Sequence, residues 1–230
     1  MQPNILLFNM GDPDFRWIGN EQGYAPLGTR NVVDRIPFSI HETAGNVIKP
    51  TWLPAECDAR MRERNWFYSE NDEHTVKSVE ELVGMWYYSV GRGCNLLLNI
   101  GPDRRGLLPE SDAESLLGLG AEVRRRFAHP LATLSACERN ANSWTWTPEK
   151  AELVDHVIIG ENILRGEHAR RFAVRADVGE MITVFEGTAI GYNQACSFPP
   201  IRARRFVVEV TESEGETELA RLEFHRTKTF

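Results

Sequence analysis

The chain has 230 residues, 42% hydrophobic and 26% charged, with a formal net charge of −7; this supplies a core or two and excludes a disordered tract. Its arginines are dispersed among acidic residues rather than gathered in a stripe, which argues against a nucleic-acid partner. No apolar run reaches membrane-spanning length, so no membrane partner is expected, and MQPNILLFNMGDPD has neither a basic region nor a small-residue cleavage site, so no export signal is expected in it.

The first apolar run, NILLF at residues 4–8, reads as a buried strand. It is followed at once by GDPDFRWIGNEQGYA, which packs Asp12, Asp14, Arg16, Trp17, Asn20, Glu21 and Tyr24 into one Gly- and Pro-punctuated segment. A carboxylic acid flanked by Trp17 and Tyr24 in such a loop is partly desolvated, which fits it to donate a proton near neutral pH. On pattern alone the plainer reading of Glu21 is a solvated loop glutamate, because acidic residues are mostly exposed.

The second apolar run, VIKPTWL, leads into TWLPAECDARMRERNWFY, Thr51 to Tyr68, which mixes Trp52, Glu56, Asp58, Arg60, Trp66 and Tyr68. Aromatic faces beside carboxylates suit a sugar, whose C–H face stacks on an indole while its hydroxyls need donors and acceptors. An ordinary polar loop with core aromatics accounts for the same residues equally well.

A helix is predicted over residues 78–90, because Ser78 and Glu81 have capping-box spacing and Val79, Leu82, Val83, Trp86 and Val90 recur at helical intervals. Gly91-Arg92-Gly93 lacks the spacing of a phosphate loop and reads as a helix C-cap turning into CNLLLNI. That run, apolar on consecutive positions, suits a strand covered on both faces, as in a parallel α/β sheet or barrel, where residues just past the strand occupy the site of chemistry. Asn99, Gly101, Pro102 and Asp103 follow it and are simplest as turn formers. A second helix is predicted from a Ser111/Glu114 box, with Leu116, Leu117 and Val123 as its apolar face and Arg124, Arg125 and Arg126 in its last turn.

After His129-Pro130 the texture becomes short strands with turn punctuation: VDHVIIG, RRFAVRA, MITVFEG, TAIGYNQ, FVVEVTES and LARLEFHR, with SEGE as a turn. Six or more strands without a helix pattern indicate a β-sandwich, with the boundary near residues 128–137. Asp155, His156 and Glu161 form no nucleophile or metal pattern and are read as structural. Cys57, Cys94, Cys137 and Cys196 have no metal-ligand spacing and are read as free, partly buried thiols, which leaves the redox compartment open.

Set in order, GDPDFRWIGNEQGYA, TWLPAECDARMRERNWFY, SVGRGCNLLLNIGPDRRGLLPESD and IGENILRGEHARRFAV resemble the later part of a glycoside hydrolase family 29 α-L-fucosidase. The resemblance implies an α/β plus all-β chain: residues 1–130 as the last strands and helices of a (β/α)8-type barrel, and residues 136–230 as an antiparallel β-sandwich. It also implies a retaining mechanism, with an aspartate nucleophile and a carboxylic acid/base. Glu21, in RWIGNE, matches the acid/base of the family's 1,3/1,4-linkage-selective branch. Trp66, in WFY, resembles a wall of the fucose pocket, and Glu56 and Arg60 fall where substrate contacts are expected. No metal or organic cofactor is implied.

Two departures stand out. The family usually reads GPDIRW where this chain has GDPDFRW, with one added residue. The family's nucleophile sits in an earlier WFDG-like motif, and no aspartate here stands in an equivalent one. A whole barrel takes about 250 residues, so the expectation is a partial sheet with open edges and an uncovered apolar face, inactive in isolation. The partner expected is a fucosylated glycan, together with a companion chain carrying the N-terminal part of the barrel if the enzyme is split. A non-catalytic carbohydrate-binding or interaction module is the alternative. Family members are commonly secreted, periplasmic or lysosomal, and the residues here fix no compartment.

Overall fold

The computed structural model describes residues 2, 4–9, 13–35 and 47–227; Gly11 and Asp12 of the first polar segment lie outside them. The chain is mostly β-strand with few helices. It divides into two compact units, Met1–Pro26 with Asn31–Val123, and Leu27–Arg30 with Arg124–Phe230. No helix among the described residues is long and apolar enough to cross a membrane.

In the first unit β1 (Arg16–Trp17) is followed by β2 (Val32–Arg35) and β3 (Val47–Trp52), which pair antiparallel with each other. Next come β4 (Ala55–Arg60), α1 (Val79–Tyr88), β5 (Asn95–Asn99) and α2 (Glu110–Phe127). The strands β1, β4 and β5 form a three-stranded parallel sheet in the order β1-β4-β5. Strand alternation gives it two unlike faces. On one, Ala55, Cys57, Ala59, Leu96 and Leu98 join two apolar clusters, and Leu82, Val83 and Met85 of α1 pack with Ala59 and Leu98. The other carries Trp17, Glu56, Asp58, Arg60, Asn95, Leu97 and Asn99.

Three expectations are corrected here. AECDAR, read as part of a polar loop, is β4, because its small apolar residues Ala55, Cys57 and Ala59 sit under the apolar clusters while Glu56, Asp58 and Arg60 point the other way. NILLF is not a buried strand: Ile5, Leu6 and Leu7 are exposed, and the run's one pairing among the described residues is a bridge from Phe8 to Phe15. CNLLLNI is not covered on both faces, since β5 has a single strand neighbour and Leu97 is 42% exposed; the uncovered face is mainly polar rather than apolar.

The predicted first helix forms with its capping box intact. Ser78 Oγ accepts from Glu81 N at 3.2 Å and Glu81 Oε2 from Ser78 N at 2.8 Å. The turn after it closes on Gly93 at φ 73°, a left-handed conformation that glycine adopts without strain. The second box does not form. The helix begins at Glu110, after Pro109, whose missing N–H costs nothing there, so Ser111 lies in the first turn and donates to Glu73 Oε1 instead.

The second unit runs β6 (Ala132–Thr133), β7 (Glu138–Asn140), β8 (Ser143–Trp146), β9 (Glu152–Glu161), β10 (Ala169–Asp177), β11 (Met181–Gly187), β12 (Gln194–Ala203), β13 (Phe206–Ser213) and β14 (Leu219–His225). They form antiparallel sheets in the orders β11-β10-β13-β8-β7 and β12-β9-β14-β6. Phe172, Val174, Phe206 and Val208 from one and Val157, Ile159, Leu222 and Phe224 from the other share one buried cluster. TAIGYNQ is largely a loop. The strand lies after it, in QACSFPPIRA, where two prolines are tolerated because β12 is an edge strand whose register with β9 shifts between Ser197 and Ile201.

Asp155, His156 and Glu161, read from the sequence as structural, are buried and tied into the fold. Buried Glu161 accepts from the backbone N–H groups of His168, Ala169 and Gly191 at 2.7, 3.1 and 2.9 Å, tying the end of β9 to two neighbouring segments. Asp155 Oδ1 lies 2.7 Å from His156 Nδ1 and accepts from Thr227 N at 2.8 Å. The four cysteines are thiols outside any disulfide. Cys196 is wholly buried and its thiol is held well above the usual range by that burial.

His225 is buried edge-on to Phe127, beside Glu223, Arg221 and His156. Burial lowers its proton affinity, and the Glu223 carboxylate only partly offsets this. The native state therefore takes up a proton at His225 less readily than the unfolded chain, which is protonated there as pH falls through about 6.5. This contribution to stability is present above that value and is lost below it. Thermal melts at about pH 7.5 and about pH 5.5 should show a fall in Tm that is reduced in His225→Gln; an equal fall in both proteins would assign the acid sensitivity elsewhere.

Candidate active site

The three parallel strands end at one edge of their sheet, and three loops leave there. The first follows β1 and carries Glu21. Asn20 stitches it: Nδ2 donates to Tyr24 O at 2.8 Å and Oδ1 accepts from Gln22 N at 3.1 Å, while Gln22 bridges to Ala59 of β4. Glu21 sits exposed on the bend so formed. It is not desolvated between Trp17 and Tyr24, because both rings are engaged elsewhere. The Trp17 indole N–H donates to Asp58 Oδ1 at 2.6 Å, and the Tyr24 ring meets Tyr88 edge-on at 5.7 Å.

The second loop follows β4. Arg60, its last residue, places its guanidinium 5.7 Å from the centre of the Trp66 ring and donates to Arg64 O, so these two predicted residues are brought together. Glu56 is not brought to them. It lies on the same face as Arg60 but four residues earlier, ~13 Å along an extended strand, where it is almost wholly buried and accepts from Asn95 Nδ2 at 2.9 Å. Asp58 lies between them on the same face of β4. Its separation of 41 residues from Trp17 left no local signal.

The residue that holds this loop was not singled out in the sequence at all. Arg62 is buried with two carboxylates: Nε and Nη2 engage Asp112 at 3.0 and 2.6 Å, and Nη1 donates to Asp72 Oδ1 at 2.7 Å and Ser69 O at 2.9 Å. The Asp112 carboxylate beside it raises the guanidinium's proton affinity further, and Arg62 in turn lowers that of Asp72. Arg62 also lies over the Tyr68 ring at 5.6 Å.

The third loop follows β5. A Cβ on Gly101 would stand 2.4 Å from Tyr68 N and 2.8 Å from Phe67 C, so only glycine lets it pass the backbone after Trp66. Asp103 is a turn former, as expected, accepting from Arg105 N and Leu107 N at 2.8 and 3.2 Å. The edge thus presents an acid on the first loop, a guanidinium at the end of β4 and an indole on a second loop held by the buried Arg62 contacts.

The alpha-L-fucosidase family model matches residues 34–126. Alpha-L-fucosidase 1 of Arabidopsis thaliana is 26% identical over 257 residues, covering 93% of this chain and 50% of its own length. The crystal structure of a candidate α-L-fucosidase from Bacteroides thetaiotaomicron is 30% identical with a TM-score of 0.83, covering 94% of this chain and 52% of that one. The chain is related to the α-L-fucosidases of glycoside hydrolase family 29. A family 29 member from an unknown rumen bacterium shares the fold over 100% of this chain and 44% of its own, at 24% identity and a TM-score of 0.85. The chain spans about half the length of the curated relatives it matches.

Removing one partner from a buried ion cluster leaves uncompensated charge. Arg62→Met should therefore cost about 3–5 kcal/mol in urea unfolding, and Arg62→Met combined with Asp72→Asn and Asp112→Asn should recover much of it. A loss below about 1 kcal/mol in the single variant, the size of an exposed pair, would mean the cluster does not hold the loop.

Proposed function

We propose that this chain is the acid/base-bearing portion of a retaining α-L-fucosidase: a partial (β/α)8-type barrel in residues 1–130 followed by an antiparallel β-sandwich in residues 136–230. The carrying observation is the shared edge of the parallel sheet, from which the Glu21 and Trp66 loops both emerge. In barrels of this kind chemistry is placed at that edge. The open polar face of the sheet corresponds, on this reading, to the barrel interior.

Glu21 protonates the glycosidic oxygen as the bond breaks, then takes a proton from the water that attacks the glycosyl-enzyme. Trp66 offers an indole face to the C–H face of fucose, and Arg60, stacked on that indole, donates to its hydroxyls. Glu56, bound to Asn95, acts on substrate only through the order it gives the strand pair. Retention needs a second carboxylate about 5 Å from the first. No aspartate of this sequence stands in a WFDG-like motif, so on this reading the nucleophile comes from a barrel segment outside this sequence. That segment belongs to the same polypeptide or to a companion chain, and it also closes over Glu21 to exclude water.

The 230-residue chain alone should release no chromophore from a 4-nitrophenyl α-L-fucoside above the buffer rate. Supplied with the remaining strands of a family 29 barrel it should turn over, and Glu21→Gln should lower kcat by about 10²–10⁴-fold. Turnover by the isolated chain that Glu21→Gln abolishes would refute the two-segment reading, and full turnover in Glu21→Gln would remove Glu21 from the mechanism.

A further inference from the structure

Several surface charges of the second unit are paired. Arg171 and Arg175 of β10 meet Glu212 and Glu209 of β13 at 3.2 and 3.0 Å, and Arg139, Arg205 and Arg221 meet Glu216, Asp177 and Glu223 at 3.3, 3.2 and 2.7 Å. A cleft of about 480 Å³ opens where β8 gives way to β9, with Leu131, Trp146 and Pro148 among its apolar walls and Glu149, Lys150 and Glu152 among its polar ones. Among the described residues no hydrogen bond or ion pair engages the side chains of Glu149, Lys150 or Glu152.

The cleft is built before any ligand arrives. Trp146 is buried, stacked on Phe206 at 5.7 Å and tilted on Phe224 at 4.9 Å, so its ring is a fixed wall rather than a mobile side chain. The segment beyond it is pinned where Arg202 Nη1 donates to Ala151 O at 3.0 Å and Glu152 pairs with Ala203 in the β9–β12 ladder. Its volume falls in the range of small-molecule clefts, roughly 300–1,000 Å³.

We infer that this cleft is a second glycan-binding subsite, taking a short neutral oligosaccharide apart from the edge that carries Glu21. The ligand class rests on the glycosidase reading above. Three features select it. Leu131, Pro148 and the Trp146 edge suit the C–H face of a pyranose. Glu149 and Glu152 accept from hydroxyls, and Lys150 donates to them. One ammonium among two carboxylates leaves the site mildly acidic, which disfavours phosphate, sulfate and uronic acid ligands.

The test is a titration of the isotope-labelled full chain with lactose, a neutral disaccharide without fucose, followed through assigned backbone amides. Saturable shifts at Thr147, Glu149 and Lys150 are expected at millimolar lactose. Glu149→Gln combined with Glu152→Gln, both solvent-accessible and without protein partners, should weaken the apparent affinity about tenfold or more, with an unchanged melting temperature. Silence of these amides, or equal affinity in the variant, overturns the inference. L-fucose is titrated separately and read at Trp66 and its neighbours. Shifts there with a silent cleft sink the subsite alone and leave the fucosidase reading standing, whereas a responding cleft beside a silent Trp66 supports the subsite and weighs against that reading.

Discussion

Everything the candidate site presents on its second loop depends on one buried cation. Arg62 leaves the end of β4 and turns inward, where Asp72 and Asp112 fix its guanidinium from two sides. The net stability of such a cluster is small, because desolvating three charges offsets their attraction. What it supplies is geometry: with all three partners buried, any other arrangement strands a charge in the interior. The loop from Arg62 to Val76, which bridge each other, must therefore follow one path. Trp66 is carried on that path, beside Arg60. Gly101 adds a steric limit from the neighbouring loop, so ion cluster and close approach together leave the Trp66 segment little room to move.

The same parallel sheet explains why its faces are chemically so different. Under the apolar clusters the residues are small or aliphatic, and Cys57 lies beside Cys94, which together with burial pushes its thiol up and leaves it inert. On the opposite face carboxylates, amides and a guanidinium are interleaved with Leu97 and Trp17. A solvated sheet face would not need Trp17 to spend its indole N–H on Asp58, nor Glu56 to be almost wholly buried against Asn95. These contacts are those of a surface organised to meet other groups, which is what the barrel reading requires of it.

How much of this the sequence disclosed depended on distance along the chain. The capping box of Ser78 and Glu81 was legible because its partners are three residues apart, and most strands of the second unit were legible because period-two alternation is local. The Arg62 cluster was not, since its members are 10 and 50 residues apart. β4 was hidden because polar residues on one face interrupt the apolar run that marks a buried strand. β12 was hidden by two prolines whose tolerance depends on its being an edge, and its edge position is a property of the sheet alone. The second helix shows the reverse error: a correct local motif, Ser111 to Glu114, was outcompeted by Pro109 one turn position earlier. For the candidate site, the family resemblance singled out Glu21, Trp66, Glu56 and Arg60; the structure brings Arg60 and Trp66 together, whereas the length of an extended strand separates Glu56 from Arg60.

The exposure of Glu21 links stability to chemistry. A general acid works in surroundings that exclude water, and Glu21 stands exposed on its own loop: Asn20 holds the backbone, Trp17 is committed to Asp58 and Tyr24 to Tyr88. On the proposed reading, the surroundings come with the strands that close the barrel. The surface that would bury Leu97 and the open face of β5 is then the surface that would tune the acid and bring the opposing carboxylate. On that reading positioning and activation of the proposed acid are divided: the first is encoded in contacts within these residues, and the second waits on burial that a closed sheet would supply.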